Sequence, residues 1–406
     1  MERFMSLIGL LVMLAVAYGL STSRKDIKWK TVLMGIALQL TFGLFILKTP
    51  IGEQVFESAR ALFQNVLNYT NEGSKFIFGD LTNPSKFGFI FAFLVLPTII
   101  FMSSLMSVLY HLGVMQKVVE LAAKLMMKVM NTSGAESLSA AANIFVGQTE
   151  APLVVKPFVD KMTNSELMAL MTGGMATVAG GVLAAYVGMG VDAGHLLAAS
   201  VMSAPAALAI AKLMVPETET SETAGVVKAD LPKTNVNLID AAATGAGEGL
   251  NLALNVGAML LAFIALIALL NGIIGWFGGI IGFENLSFEL IIGYLFSPFA
   301  FVMGVPWDDC LQVGILLGKK TVVNEFVAYL DLQTAMKAGA ISERAQIIST
   351  YALCGFANFS SIAIQLGGIG GIAPSRRQDL AKLGIKSLIG GTLACFMTAC
   401  IAGLFI

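Results

Sequence analysis

The residues Asn143-Ile144-Phe145-Val146-Gly147-Gln148-Thr149-Glu150-Ala151-Pro152 form an apolar segment that breaks at a polar turn ending in glutamate. A long apolar segment follows, with its own break at Gly173-Gly174-Met175-Ala176-Thr177-Val178-Ala179-Gly180-Gly181. The same order recurs later, first as Val322-Val323-Asn324-Glu325-Phe326 and then as Gly355-Phe356-Ala357-Asn358-Phe359-Ser360-Ser361. A carboxylate at mid-depth in lipid is costly, so its presence indicates function. Interrupted helices at corresponding positions in two halves of a membrane chain indicate a binding site between the halves.

The composition of the chain is that of a protein embedded in a lipid bilayer. Of its residues, 56 % are hydrophobic and only 13 % are charged. Crossing a hydrocarbon core of about 30 Å takes roughly 20 apolar residues. Eight segments are long enough to be predicted spans, namely residues 4–20, 32–48, 88–113, 165–190, 193–214, 250–275, 346–371 and 383–405.

The distribution of basic residues predicts how the chain is oriented. Arg24, Lys25, Lys28 and Lys30 follow the first span and should stay in the cytoplasm, since positive loops are retained inside. The N-terminus is then expected outside, and eight spans return the C-terminus to the same side. The net charge of −1 gives no case for a nucleic-acid partner. The four cysteines lie in apolar segments without metal-ligand spacing, and we interpret them as packing residues.

Shorter elements separate the spans and give each half the same order. Residues 53–72 alternate apolar and polar positions at helical spacing, which predicts an amphipathic helix lying along the interface. The polar tip within 137–161 leaves arms of about 10–12 residues, or about 15–18 Å, so this hairpin should be re-entrant. The second hairpin carries Asn324 and Glu325. With three full crossings in each half, the two halves must be inserted as inverted repeats.

The polar side chains at these breaks are the candidate binding residues. Gln148, Thr149 and Glu150 offer an amide, a hydroxyl and a carboxylate where two short helices meet. Glu325 lies on the second tip, and the broken span after it offers polar and aromatic groups at Phe356, Asn358, Phe359, Ser360 and Ser361. Such a set suits an uncharged ligand with many donors and acceptors.

A second group of residues, Asn143, Val146, Thr177 and Val178, is a candidate cation site. Na⁺ takes oxygen ligands, and unwound backbone carbonyls together with an amide or hydroxyl oxygen supply them. The alternative is structural, because Asn and Thr inside helix bundles often only tie helices together.

Three motifs resemble the signature segments of the concentrative nucleoside transporters, and the resemblance covers nearly the whole chain. The motifs are Gly147-Gln148-Thr149-Glu150-Ala151-Pro152, Asn324-Glu325-Phe326-Val327-Ala328-Tyr329 and Gly355-Phe356-Ala357-Asn358-Phe359-Ser360-Ser361-Ile362. The chain looks like a bacterial, sodium-coupled member. The resemblance implies an all-α polytopic inner-membrane protein with eight transmembrane helices, two re-entrant helical hairpins in an inverted repeat and an interfacial amphipathic helix.

The resemblance also implies roles for individual residues. Gln148 and Thr149, with Glu150 and Val182 nearby, would contact the base, and Phe356 would flank it. Glu325, Asn358 and Ser361 would hold the ribose hydroxyls. Asn143, Val146, Thr177 and Val178 would supply oxygen ligands to Na⁺. The sequence Gln-Thr-Glu-Ala-Pro favours sodium, because proton-coupled relatives tend to carry Ser in place of Thr149 and lack the Ala-Pro.

By the same resemblance the protein would be a homotrimer, with a scaffold around the three-fold axis and a mobile transport domain in each protomer. Residues 1–86 would form the N-terminal part of the scaffold, and 87–135 and 246–304 would form the scaffold elements of the first and second repeats. The transport domain would consist of residues 136–215 and 305–406. Independently of the resemblance, the Glu-, Thr- and Ala-rich composition from Pro216 to Lys233 predicts that 216–245 is a solvated loop. The basic residues after the first span predict that both termini are periplasmic.

Three other functions stay open at the level of the sequence. A proton-coupled symporter would use one of the glutamates as proton carrier, and a passive channel would show no accumulation. An intramembrane enzyme is disfavoured, because the chain has no His-Glu-x-x-His motif and no Gly-x-Ser-x-Gly elbow.

Overall fold

The computed structural model describes residues 2–225, 235–283 and 286–406, and none of these residues lies in a β-strand. The first half contains α1 Glu2–Gly19, α2 Trp29–Lys48, α3 Pro50–Phe78, α4 Pro84–Phe87, α5 Phe91–Leu94, α6 Leu96–His111, α7 Val114–Met130, α8 Gly134–Asn143, α9 Ala151–Val154, α10 Lys156–Val159, α11 Asn164–Ala176, α12 Gly180–Gly188 and α13 Ala193–Met214. The second half contains α14 Leu238–Ile280, α15 Phe288–Val302, α16 Cys310–Val322, α17 Glu325–Lys337, α18 Glu343–Leu353, α19 Phe359–Ile372 and α20 Arg377–Phe405. Short 3-10 turns lie at Arg24–Asp26, Gly79–Thr82, Trp307–Asp309 and Pro374–Arg376.

Seven of the described helical segments are long and apolar enough to cross a membrane. They are Glu2–Gly19, Trp29–Lys48, Phe91–His111, Asn164–Gly188, Ala193–Met214, Leu238–Ile280 and Pro374–Phe405. The eighth predicted span, 346–371, is divided between α18 and α19, and neither helix reaches the length of a full crossing. The protein is therefore all-helical and polytopic, as the sequence predicts.

Helix α14 is much longer than the apolar segment that predicts it. It begins at Leu238, where Asn237 caps it by accepting a hydrogen bond from the backbone N–H of Asp240. Residues 238–245, assigned to a loop from composition, are therefore helical, whereas residues 226–234 of that loop lie outside the described part of the chain. The 43 residues of α14 extend about 65 Å, roughly twice the hydrocarbon thickness of a bilayer.

The amphipathic segment forms the single helix α3. Thr49 caps this helix by accepting a hydrogen bond from the backbone N–H of Gly52, and Pro50 occupies the first turn, where its missing N–H costs nothing. One face of the helix is buried, and it contains Phe56, Ala59, Phe63, Val66 and Thr70. Glu57 and Arg60 are exposed, and Arg60, at the edge of the buried face, forms an ion pair with Asp192 at the start of α13. Residues 53–72 are thus helical, as the alternation predicts, and the helix extends beyond them at both ends.

A buried polar network joins the starts of α8 and α11 to the end of α13. Lys212 forms ion pairs with Glu136 and Glu217, and these three side chains are 8 %, 3 % and 11 % exposed. Ser133 and Thr163 each form a capping box with a glutamate three residues later, which fixes where α8 and α11 begin. These contacts fix the starts of α8 and α11 relative to each other, and these two helices lead to the first polar turn and to the first break.

Candidate functional site

The first polar turn is held against the break of the following span. Helix α8 ends at Asn143, and after residues 144–150 the next helix begins with Ala151 and Pro152. The carbonyl of Phe145 accepts a hydrogen bond from the backbone N–H of Gly180, the first residue of α12. Gln148 is buried by this arrangement, whereas Thr149 and Glu150 are exposed on the turn.

The second polar turn places a carboxylate at the N-terminus of a helix. Asn324 caps α17 by accepting a hydrogen bond from the backbone N–H of Val327 at 2.9 Å. Glu325 is the first residue of α17 and only 4 % exposed. A helix N-terminus stabilises negative charge, so the local backbone supports an ionised carboxylate here.

Two side chains from other helices donate hydrogen bonds to Glu325. The hydroxyl of Tyr186 in α12 donates to Oε1 at 3.0 Å, and Nδ2 of Asn358 donates to Oε2 at 3.1 Å. Each carboxylate oxygen has a second lone-pair direction and can accept a further hydroxyl. The carboxylate is therefore oriented by the protein and still able to bind a ligand with neighbouring hydroxyl groups.

Asn358 and Ser361 are positioned by the start of α19. Asn358 caps this helix, because its Oδ1 accepts a hydrogen bond from the backbone N–H of Ser361 at 2.9 Å. The hydroxyl of Ser360 donates to the same Oδ1. With Oδ1 occupied by the helix, Nδ2 is directed towards Glu325, and the cap fixes the orientation of this amide.

The two polar turns are connected through hydrogen bonds between side chains and one backbone N–H. Nε2 of Gln148 donates to the hydroxyl of Ser361 at 3.0 Å, which connects the first turn to α19. The backbone N–H of Ser361 donates to Oδ1 of Asn358, and Nδ2 of Asn358 donates to Glu325 on the second turn. Glu325 also accepts from Tyr186. Four residues selected from the sequence, Gln148, Ser361, Asn358 and Glu325, thus form one buried polar site.

The breaks in the two long segments cross each other at close range. The backbone N–H of Phe356 donates to the carbonyl of Thr177 at 3.2 Å. A Cβ atom on Gly355 would lie 2.8 Å from the carbonyl oxygen of Met175 and 2.9 Å from the carbonyl carbon of Ala176. Only glycine allows the backbones to approach this closely, and this crossing brings the end of α11 against the segment between α18 and α19.

We expect Gly355→Ala to lower the free energy of unfolding by about 1–3 kcal/mol, because the added methyl group meets backbone atoms that cannot rotate away. The measurement is the midpoint of thermal unfolding of the purified protein in detergent. The matched control is Gly367→Ala in α19, where nothing lies within 4 Å of the added Cβ. The control should not destabilise the protein, since alanine is a better helix former than glycine. Equal midpoints for the two variants would contradict the close crossing.

The candidate cation residues lie beside this crossing. Asn143 is 1 % exposed, and neither atom of its carboxamide has a hydrogen-bond partner among the described residues. Its Nδ2 lies near Gly173, and the hydroxyl of Thr177 donates to the carbonyl of Gly173 at 3.0 Å. Val146 and Val178 are buried at non-helical positions between helices. An unpartnered buried amide is costly, so this donor set fits a Na⁺ site with oxygen ligands.

The remaining predicted residues surround the site without entering its hydrogen-bond chain. Val182 is buried in α12, one helical turn before Tyr186. Phe356 is half-buried, and the methyl group of Thr149 lies close to Gly368 in α19.

Three residues of the site were not selected from the sequence. Tyr186 contacts Glu325, Gln365 contacts Gln148, and Nζ of the fully buried Lys320 donates to the carbonyl of Ala352 at the end of α18. Gln365 could have been found, because it follows Ser361 by four residues and so lies on the same face of an otherwise apolar helix. Lys320 is a charged residue in a largely apolar helix and could also have been found, whereas Tyr186 gave no comparable signal.

The broken, crossed helical segments and the buried hydrogen-bonding site define a multi-pass membrane transporter. The chain belongs to the Na⁺-dependent nucleoside transporter family, in which sodium is the coupled ion. Residues 8–81 match the family model for the Na⁺ dependent nucleoside transporter N-terminus, residues 92–193 match the nucleoside recognition (gate) model, and residues 195–403 match the model for the C-terminus.

Individual relatives agree with this assignment. An uncharacterized transporter of Haemophilus influenzae is 50 % identical over 100 % of this chain and 98 % of its own length. Sodium/nucleoside cotransporter 1 of Rattus norvegicus is 44 % identical over 99 % of this chain and 64 % of its own length. The solved structure of CNTnw in an inward-facing substrate-bound state superposes with a TM-score of 0.95 at 48 % identity, covering 100 % of this chain and 98 % of that one.

Proposed function

We propose that this protein is a secondary active symporter that imports nucleosides together with Na⁺ across a bacterial inner membrane. The observation that carries the proposal is the hydrogen-bond chain from Gln148 through Ser361 and Asn358 to Glu325. It offers an amide at one end and a carboxylate at the other, which matches a base joined to a hydroxyl-bearing sugar. Amide, hydroxyl and carboxylate groups in this arrangement support recognition of a ligand by hydrogen bonding.

In this proposal Glu325, Asn358 and Ser361 bind the ribose hydroxyls. The base lies against Gln148, Thr149, Glu150 and Val182, and Phe356 flanks it. The hydroxyl of Ser361 accepts from Gln148 and keeps its own proton to donate. A sugar without hydroxyl groups would leave the buried carboxylate of Glu325 without hydrogen-bond donors from the ligand. The site should therefore discriminate strongly between ribose and sugars that lack these hydroxyl groups.

The residues proposed to hold Na⁺ are Asn143, Val146, Thr177 and Val178. A bound Na⁺ would stabilise the crossing of the breaks at Thr177 and Phe356. Nucleoside binding would in this way be linked to the Na⁺ gradient. Asn143 is the last residue of α8 and Thr177 directly follows α11, so the helices that lead to the first turn and the first break position both residues.

The driving force is sufficient for accumulation. One positive charge crossing 100 mV gains about 2.3 kcal/mol. A tenfold Na⁺ gradient adds about 1.4 kcal/mol. Together, with one Na⁺ per cycle, they sustain roughly a 500-fold accumulation of a neutral nucleoside.

The proposed architecture has eight membrane crossings and two re-entrant hairpins in an inverted repeat, with both termini in the periplasm. The transport domain, residues 136–215 and 305–406, would move as one body past a scaffold of residues 1–135 and 246–304. Most residues in the spans of that domain are buried, whereas α14 exposes apolar residues such as Leu254, Leu261 and Leu269. An exposed apolar face in a membrane contacts lipid or another subunit, and a homotrimer is the assembly that the family resemblance favours.

The test is uptake of radiolabelled uridine into proteoliposomes with an inward Na⁺ gradient, against a choline control at equal pH. We expect accumulation that needs Na⁺ and disappears when an ionophore collapses the gradient. Accumulation in choline driven by a pH gradient would replace Na⁺ coupling by proton coupling. Equilibration without accumulation would identify a passive channel and overturn the proposal.

A further inference from the structure

One buried glutamine outside the predicted site contacts a residue that the proposed function assigns to the base. Gln365 in α19 is fully buried. Its Nε2 lies 3.0 Å from the carbonyl oxygen of Met171 and 3.1 Å from Oε1 of Gln148. A Cβ atom on Gly174 would lie 2.9 Å from the same Nε2, so the small residue in α11 allows this approach.

The contact with Met171 determines which way the amide of Gln365 faces. A backbone carbonyl only accepts hydrogen bonds, so the atom of Gln365 that faces it must be the amide nitrogen. The same nitrogen faces Gln148, and therefore the atom of Gln148 on that side must be its oxygen. Nε2 of Gln148 consequently points the other way, towards Ser361.

We propose that Gln365 is a positioning residue that makes Gln148 present N–H, and not C=O, to the base. The inference rests on the proposed function, because it assigns a specificity to that site. One hydrogen of Nε2 is donated to Ser361, and the other is available to a ligand. The site then selects a base that presents an acceptor, such as an oxo group, over one that presents an amino group.

The alternative is that Gln365 only packs between α11 and α19. Its Oε1 is buried and has no partner among the described residues, which is a cost that a purely packing residue would not need. An apolar side chain of similar length would fill the same volume without this cost.

The experiment compares uptake of uridine and cytidine by the wild-type protein, Gln365→Met, Gln148→Ala and the double variant. We expect Gln365→Met to raise the apparent KM for uridine about 2- to 10-fold with little change in maximal rate, since roughly one neutral hydrogen bond loses its orientation. The preference for uridine over cytidine should narrow, because a freed Gln148 can turn its oxygen to an amino group. In the background of Gln148→Ala, Gln365→Met should have no further effect.

The matched control is Gln333→Met, since Gln333 is another buried glutamine whose Nε2 donates to a backbone carbonyl, that of Met189. It should leave the uridine-to-cytidine ratio unchanged. Gln365→Leu serves as a second variant should Gln365→Met not fold. Wild-type KM and preference in both Gln365 variants, or effects that simply add to those of Gln148→Ala, would overturn the inference. Wild-type protein that fails to take up uridine would instead refute the proposed function.

Discussion

Glu325→Gln is expected to raise the apparent KM for uridine by about 10- to 100-fold, the value of one hydrogen bond to a charged group. Both carboxylate oxygens accept hydrogen bonds, from Tyr186 and from Asn358. Replacing one oxygen by an amide group sets a donor against one of these donors, so the local arrangement must change. The measurement is the concentration dependence of Na⁺-driven uridine uptake into proteoliposomes.

A second readout separates the loss of a ligand contact from general damage to the protein. Competition by 2′,3′-dideoxyuridine, which lacks both ribose hydroxyls, should be much weaker than competition by uridine in the wild type, and this gap should narrow in Glu325→Gln. Glu343→Gln is the control, because Glu343 is exposed in the first turn of α18. A normal apparent affinity for uridine in Glu325→Gln would remove Glu325 from the binding site.

Asn143→Ala is expected to raise the Na⁺ concentration for half-maximal uptake by about 10- to 100-fold, the range seen when a metal site loses a supporting group. The carboxamide of Asn143 is buried without a hydrogen-bond partner among the described residues, and so it is free to act as an ion ligand. The measurement is uridine uptake as a function of external Na⁺, with choline replacing it at constant ionic strength.

Thermal unfolding gives an independent readout of the same site. An ion that binds only the folded protein raises the unfolding midpoint as its concentration increases. This Na⁺-dependent rise should be present in the wild type and absent in Asn143→Ala. Ser139→Ala is the control, since Ser139 lies one turn earlier in α8 and its buried hydroxyl also has no partner among the described residues. If Ser139→Ala changed Na⁺ dependence as strongly as Asn143→Ala, the assignment of the site to Asn143 would be wrong.

Much of the site could be predicted because polar groups in apolar helices are rare and costly. Glu325 and Asn358 belong to two separate polar breaks in the sequence, and the structure brings them within hydrogen-bond distance. The amphipathic pattern of residues 53–72 likewise predicted α3, since one face of that helix is buried. In both cases the prediction needed only local information: a costly polar residue in an apolar segment, or apolar residues that recur at helical spacing.

Other features did not follow from local pattern. The start of α14 at Leu238 lies in a segment with charged and small residues, which is compatible with either helix or loop. Tyr186 is a single polar side chain in an apolar helix, and such residues often only tie helices together. The contacts of Tyr186 with Glu325 and of Gln365 with Gln148 are visible only in the structure.

The sequence alone determined that the chain is a helical membrane protein with two similar sets of polar breaks, because hydrophobicity and helix breaks are properties of local segments. Tertiary structure alone decided which polar residues meet. Gln148 and Ser361 are 213 residues apart and are joined only because the backbone of one broken segment crosses the other at Gly355. The orientation of the Gln148 amide was decided in the same way, since it depends on Gln365 and the carbonyl of Met171. Hydrogen-bond direction is set by neighbours in space, and the order of residues along a helix does not specify those neighbours.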